Sequence, residues 1–165
     1  MQKTESGVRG SAAVHYRERL SPSLWTVVSA AVAAPMAALV FAPIDTTLAL
    51  VAGALVGVAI VVLMVAASPV VEVREGVLHA GRAHIDVDFT GETAVLTGGD
   101  AQNARGPGLH PRSWHMFRGG IEGLVIVAIT DPDDPAPSWV ISSRTPDRLA
   151  AAVRRAQATR RTPSR

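Results

Sequence analysis

Two stretches near the start of the chain carry no charge. Residues 24–44 and 47–67 are each 21 residues long, and Asp45, between them, is the only ionisable residue from 24 to 67. At a rise of about 1.5 Å per residue, a helix of that length reaches about 31 Å, matching a bilayer hydrocarbon core of about 30 Å. The rest of a 165-residue chain offers too little protein to cover two such helices as a soluble core. In lipid the backbone must satisfy its own hydrogen bonds, so both runs are expected to be helical despite their many Val. Residues 24–67 thus read as a membrane α-hairpin of two transmembrane helices.

Local signals agree. Ser21 is placed to cap the first helix, with Pro22 at its first position. Pro35 removes one backbone donor and is expected to kink the first span. Pro43, Asp45 and Thr46 form a turn, and Ser68-Pro69 ends the second span. A secretory signal core is about 7–15 apolar residues long and ends in small residues. The first run is longer, and its nearest small residue, Ala42, precedes Pro43, so retention is expected.

Orientation follows from the flanks. Lys3, Arg9, Arg17 and Arg19 precede the first span, Arg74 and Arg82 follow the second, and the turn between them has no basic residue. Positive charge stays on the cytoplasmic side, which puts both termini in the cytoplasm of a multi-pass protein of the cell (inner) membrane. Residues 1–23 read as a cytoplasmic tail with a juxtamembrane basic motif. Trp25 sits where an interfacial aromatic is expected, and Arg17, Glu18 and Arg19 would anchor at the headgroups. Alternatively, Glu18 pairs with an Arg of the soluble domain and docks that domain on the bilayer.

Small residues recur every four positions in both spans: Ala30, Ala34 and Ala38 in the first, Ala49, Gly53 and Gly57 in the second. Such faces let helix backbones approach closely. They either pack on each other within one chain or serve self-association and docking on a membrane-protein partner. Neither span contains a charged residue, so nothing suggests an ion path.

Behind Pro69 the pattern changes to short alternating runs. Strands are expected around Val71–Val73, at Val77–Ala80, from Ala83 toward Phe89, near Ala94–Leu96, Leu124–Ile129 and Ser138–Ser142, with 112–118 extended. Residues 98–112, rich in Gly and Pro, read as a loop with one helical turn. Thr145 can cap a final helix with Pro146 first and Asp147 in its first turn. Leu149, Ala152, Val153 and Ala156 form its apolar face. Residues 70–159 therefore make a soluble β domain with a C-terminal amphipathic helix, and 160–165 a disordered basic tail. The order of strands and helix resembles pleckstrin-homology-like domains, implying a small mainly-β barrel or bent sheet.

The candidate chemistry is sparse. The absence of Cys excludes disulfides and thiolate sites. His15, His79, His84, His110 and His115 lack zinc-site spacing, although His79 and His84 flank a turn. Asp131, Asp133 and Asp134 lack the further oxygens and late Glu of a calcium loop. Ser142 and Ser143 have no glycine elbow. No cofactor, metal or catalytic constellation is expected. Residues 144–165 hold seven Arg against one acid, Asp147. Arg148, Arg154 and Arg155 are candidates for lipid or partner contact, each basic group near an anionic leaflet being worth about 1 kcal/mol. Nucleic acid is not expected, because no aromatics accompany them.

Tyr16-Arg17-Glu18-Arg19-Leu20, Gly76-Val77-Leu78, Gly81-Arg82-Ala83, Asp131-Pro132 through Asp134-Pro135, Pro137, Trp139 and Ser142-Ser143-Arg144 together resemble an actinobacterial membrane family. It is domain-of-unknown-function family 3093, and the resemblance covers roughly residues 14–153. It implies the membrane architecture and no activity. The expected function is a non-enzymatic membrane-anchored binding or scaffolding module; the alternative is an accessory subunit of a membrane transport or envelope-biogenesis complex.

Overall fold

A computed structural model describes residues 14–161. Lys3, Arg9 and Arg165 lie outside the described residues, as does the side chain of His15. Residues 14–19, expected within an N-terminal tail, form a strand. Val14–Arg19 forms strand β1, which pairs antiparallel with β2 (Val70–Arg74), Arg19 facing Val70 and Arg17 facing Glu72. Leu20 N–H continues the ladder to the Pro69 carbonyl at 2.9 Å. The cause is period-two alternation: Tyr16, Glu18 and Leu20 turn inward while Arg17 and Arg19 stay exposed. The β domain therefore comprises residues on both sides of the apolar hairpin, and the boundary expected at residue 70 moves.

A four-stranded sheet follows in the order β1-β2-β3-β4, with β3 at Val77–Ala80 and β4 at Ala83–Asp86. The β2–β3 turn places Glu75 at φ 53° and Gly76 at φ 79°, the paired positive φ of a two-residue hairpin loop. A 3-10 turn at Val87–Phe89 leads into β5 (Thr90–Leu96) of a second sheet, ordered β5-β7-β8-β6, with β7 at Leu124–Ile129 and β8 at Ser138–Ser142. Strand β6 (Trp114–Met116) joins parallel to β8, setting Trp114 against Trp139 at 4.5 Å between ring centroids. Of the expected barrel or bent sheet, the closed barrel is not formed: among the described residues there are two four-stranded sheets, because the chain leaves the first sheet at the 3-10 turn and returns β6 in the parallel sense.

The core lies between the sheets and helix α5 (Pro146–Arg161). Leu20, Val71, Val73, Leu78, Val125, Val127 and Ile141 meet Leu149 and Val153 there, all fully buried. Gln157 Nε2 ties α5 to the second sheet through the Thr90 and Gly91 carbonyls, at 2.9 and 3.0 Å. Helix α4 (Gly98–Arg105), longer than the single turn expected, covers the other face of that sheet, with Ala101 and Ala104 against Leu124 and Val140. Burial on both faces explains the unbroken apolar run of β7. The helix α5 extends past Thr159, and Arg160 bonds the Glu75 carbonyl at 3.0 Å, so residues 160 and 161, expected in a disordered tail, are helical.

The apolar segments form helices α1 (Leu24–Ala31), α2 (Ala33–Phe41) and α3 (Thr46–Ala66). The α1–α2 break falls at Val32, one turn before Pro35, whose missing N–H leaves a ladder bond unmade. The cap of α1 is Ser23 rather than Ser21: its Oγ accepts from Thr26 N–H at 3.2 Å. Asp45 caps α3, accepting from Leu48 N–H at 2.8 Å. Both spans, Leu24–Phe41 and Thr46–Ala66, are long and apolar enough to cross a membrane, and almost none of their surface is buried.

Candidate functional site at the base of the hairpin

The hairpin enters the domain between two paired strands, and three arginine- and serine-bearing segments converge there. Glu18 is the centre. Its Oε2 accepts from the Tyr16 hydroxyl and from Ser143 Oγ, both at 2.6 Å, and its Oε1 accepts from Arg144 N–H at 2.8 Å. Among the described residues Glu18 makes no ion pair with an arginine; it is held by the backbone N–H of Arg144 and by two hydroxyl donors. Tyr16 also bonds Thr145 Oγ1 at 2.9 Å. Burial pushes the Tyr16 phenol up from its ordinary value, and the hydrogen bond to Glu18 adds to the shift.

The two legs of the hairpin are gripped by arginines. Arg19 Nη2 donates to the Val65 carbonyl at 2.7 Å, in the last turn of α3 where carbonyls lack helical partners. Ser68 N–H and Oγ satisfy Val65 and Met64 in the same turn. Arg144 holds the other leg, donating to the Ser21 carbonyl at 2.8 Å and the Arg19 carbonyl at 3.2 Å. Gly123 permits this packing: a Cβ there would stand 2.6 Å from the Ser143 carbonyl oxygen.

Between β1 and α5 lies an open cleft of about 590 Å³. Tyr16, Glu18 and Thr145 line it together with Arg17, Arg144, Arg148 and Arg155. Arg17 approaches Glu72 at 3.7 Å. Of the three helical arginines singled out from sequence, Arg148 and Arg155 reach this cleft and Arg154 does not. Tyr16, Ser143 and Arg144 were missed as site residues. Alternation from Tyr16 to Leu20 was the available signal for the strand that brings them together.

The remaining candidates are placed as follows. Trp25 is exposed on the first turn of α1. Ala34 and Ala38 pack on Gly53, where an added Cβ would meet the Ala34 carbonyl oxygen at 2.8 Å and Ala38 Cβ at 2.9 Å; a Cβ added at Gly57 would stand 3.0 Å from Ala34 Cβ. Ala49 is buried in the same seam and Ala30 is half-buried. The small faces therefore pack on each other within one chain. His79 and His84 stack across β3 and β4 at 5.8 Å, and among the described residues no group of three His, Asp or Glu is arranged to hold a metal. Asp131 and Asp134 accept from the N–H groups of Asp133 and Ala136, closing local turns. Ser142 Oγ accepts from Arg118 N–H at 3.1 Å.

No curated protein and no solved structure matches this chain. A family profile described as a protein of unknown function, DUF3093, matches residues 15–153, a span that takes in β1, the hairpin, both sheets and the first half of α5. The chain belongs to the DUF3093 family.

Proposed function

We propose that this protein is a non-enzymatic, membrane-anchored binding module. Its helical hairpin spans the cell membrane, both ends of the hairpin return to the cytoplasmic side, and the soluble domain presents its basic cleft at the membrane surface. One observation carries the reading. The hairpin stands away from a domain already closed around its own core, leaving Leu24 79 %, Leu39 70 % and Leu63 67 % exposed. An apolar surface of that extent needs a nonpolar surrounding, and a core helix of a soluble protein would be covered. Orientation is supported by charge: Arg17, Arg19, Arg74, Arg82 and Arg144 gather on the domain side, and Asp45 alone marks the tip. A pleckstrin-homology-like arrangement of the domain is supported by two sheets closed by one C-terminal amphipathic helix. The binding reading is preferred to catalysis because Ser142 and Ser143 are already engaged, with Arg118 N–H and with Glu18.

The alternative, an accessory subunit of a membrane transport or envelope-biogenesis complex, is favoured by an apolar recess of about 290 Å³ on the hairpin, lined by Ala31, Ala34, Gly57 and Val61. Alkaline extraction of native membranes tests the anchor. Retention in the pellet, with a C-terminal tag cleaved by protease in inverted vesicles and protected in intact cells, is expected. Release into the aqueous phase, or cleavage of the tag from outside the cell, would overturn the reading.

A further inference from the structure

We propose that the cleft between β1 and α5 binds a phosphate group, and its position favours a lipid headgroup as the bearer. Four arginines line it, on three separate pieces of backbone: Arg17 on the strand, Arg144 on the connection, and Arg148 and Arg155 on the helix. The single carboxylate in the cleft, Glu18, is occupied by hydroxyl and backbone donors. With Arg17 set against Glu72, the other three arginines face the one carboxylate, Glu18, which leaves the cleft at +2.

No ion pair among the described residues neutralises the other three arginines. The ion pairs among the described residues join Arg17 to Glu72, Arg74 to Glu75, and Arg160 to Asp86 and Asp88. Arg144, Arg148 and Arg155 take part in none of them. Like charges gathered without counter-charge repel one another, and a multivalent anion relieves this. Guanidinium forks match phosphate oxygens in pairs, and a phosphomonoester carries about −1.5 to −2 with three acceptor oxygens, enough to engage several forks at once. The helix terminus itself is not the site, because Thr145 N–H is held by Ser143 Oγ, and Arg148 and Leu149 N–H are held by the Thr145 carbonyl.

The bearer follows from distance. Arg144 Nη2 lies 2.8 Å from the carbonyl of Ser21, three residues before α1 starts at Leu24. At most about 3.6 Å per residue separates Ser21 from Leu24, so the Arg144 guanidinium stands within roughly 14 Å of the start of the span. A headgroup layer of about 5–8 Å per leaflet is within its reach. This step rests on the membrane placement proposed above; the phosphate chemistry does not.

The test uses the full chain in a non-ionic detergent, with native mass spectrometry reading bound short-chain phosphatidic acid, short-chain phosphatidylcholine and inorganic phosphate. Phosphatidic acid is expected to bind more tightly than phosphatidylcholine. Arg148→Gln with Arg155→Gln is expected to weaken phosphatidic acid by about tenfold or more, given the worth of each basic group near an anionic lipid. Arg154→Gln, on the same helix but outside the cleft, should leave binding within about twofold if a cleft rather than diffuse charge is at work. All three side chains are exposed, so folding is retained. Displacement of the lipid by inorganic phosphate would support the cleft and assign it to a soluble phosphate ester; persistence of the lipid would assign it to the membrane. Equal binding of the two lipids with no uptake of inorganic phosphate, or equal weakening by Arg154→Gln, would overturn the proposal. Should the chain prove soluble without detergent, the inorganic phosphate arm still decides the cleft, so the two readings fail separately.

Discussion

Tyr16 is the chain's one tyrosine, and its hydroxyl sits where strand, connection and helix meet. Burial, the first cause, and the neighbouring Glu18 carboxylate both disfavour the phenolate, raising the folded pKa above its ordinary 10.0. Below about pH 10 the phenol is protonated in folded and unfolded chains alike, and its contribution to stability is complete. As pH rises past 10.0 the unfolded chain loses its proton first, so stability falls until the folded phenol also ionises at its higher value. Tyrosinate absorbance reports this group without interference from another tyrosine. We expect a titration midpoint above 10.0 in the folded protein and a return to about that value on denaturation. Tyr16→Phe should remove this part of the alkaline loss of stability; an unshifted midpoint would mean that the phenol is hydrated and the Glu18 centre open. Residue type made none of this visible. Tyr16-Arg17-Glu18 and Ser143-Arg144 are each unremarkable in isolation, and their hydrogen bonds span sequence separations of 125 to 129 residues.

At the scale of elements, what could be read from sequence divides by how local the cause is. The strands β7 and β8 and the helix α5 follow from patterns within a few residues: an unbroken β-branched run, a short apolar strand between loops, and a capped helix with one apolar face. The length of the apolar helices and the break near Pro35 are likewise local. Strand β1 is not, because its partner β2 lies beyond the whole hairpin, and next to a membrane-like segment its arginines read as an anchor. The seam between α2 and α3 is an intermediate case, since four-residue spacing marks a face without saying what covers it. A cysteine pair tests the answer on a chain that has no other thiol. Ala34 Cβ lies 3.0 Å from where a Gly57 Cβ would be, and disulfides form at about 3.5–4.5 Å between Cβ atoms. A separation of about half an ångström brings the pair into range. Ala34→Cys with Gly57→Cys should therefore oxidise within one chain, losing both thiols while remaining monomeric on a non-reducing gel. Predominant formation of a cross-linked dimer would show instead that this face joins two copies.

For the whole molecule, the decisive relation is that the hairpin is an insertion into a strand connection. Arg19 faces Val70, and Leu20 N–H bonds the Pro69 carbonyl, so the chain leaves and re-enters the sheet across a gap that a tight turn can bridge. The soluble core takes Leu20 and Val71 from the two flanks and no residue of α1, α2 or α3. Buried residues of the hairpin, Ala49 and Gly53, face its own helices. Replacing residues 22–67 by Asn-Gly, the dipeptide suited to a two-residue antiparallel loop, should then leave a folded and water-soluble domain with one cooperative unfolding transition. The cost is specific: Arg19 loses the Val65 carbonyl, a charged hydrogen bond worth about 1.5–3 kcal/mol before solvent replaces it, whereas Arg144 keeps the Arg19 and Ser21 carbonyls. Because the Arg19 side chain is exposed, water compensates much of that loss, and the transition should shift without disappearing. The shortened chain should leave the membrane pellet entirely while keeping the elevated Tyr16 titration, since Tyr16, Glu18, Ser143 and Thr145 all lie on the retained side. Aggregation of the shortened chain, or a phenol titrating at its ordinary value, would mean that the hairpin helps fold the domain and is more than its anchor.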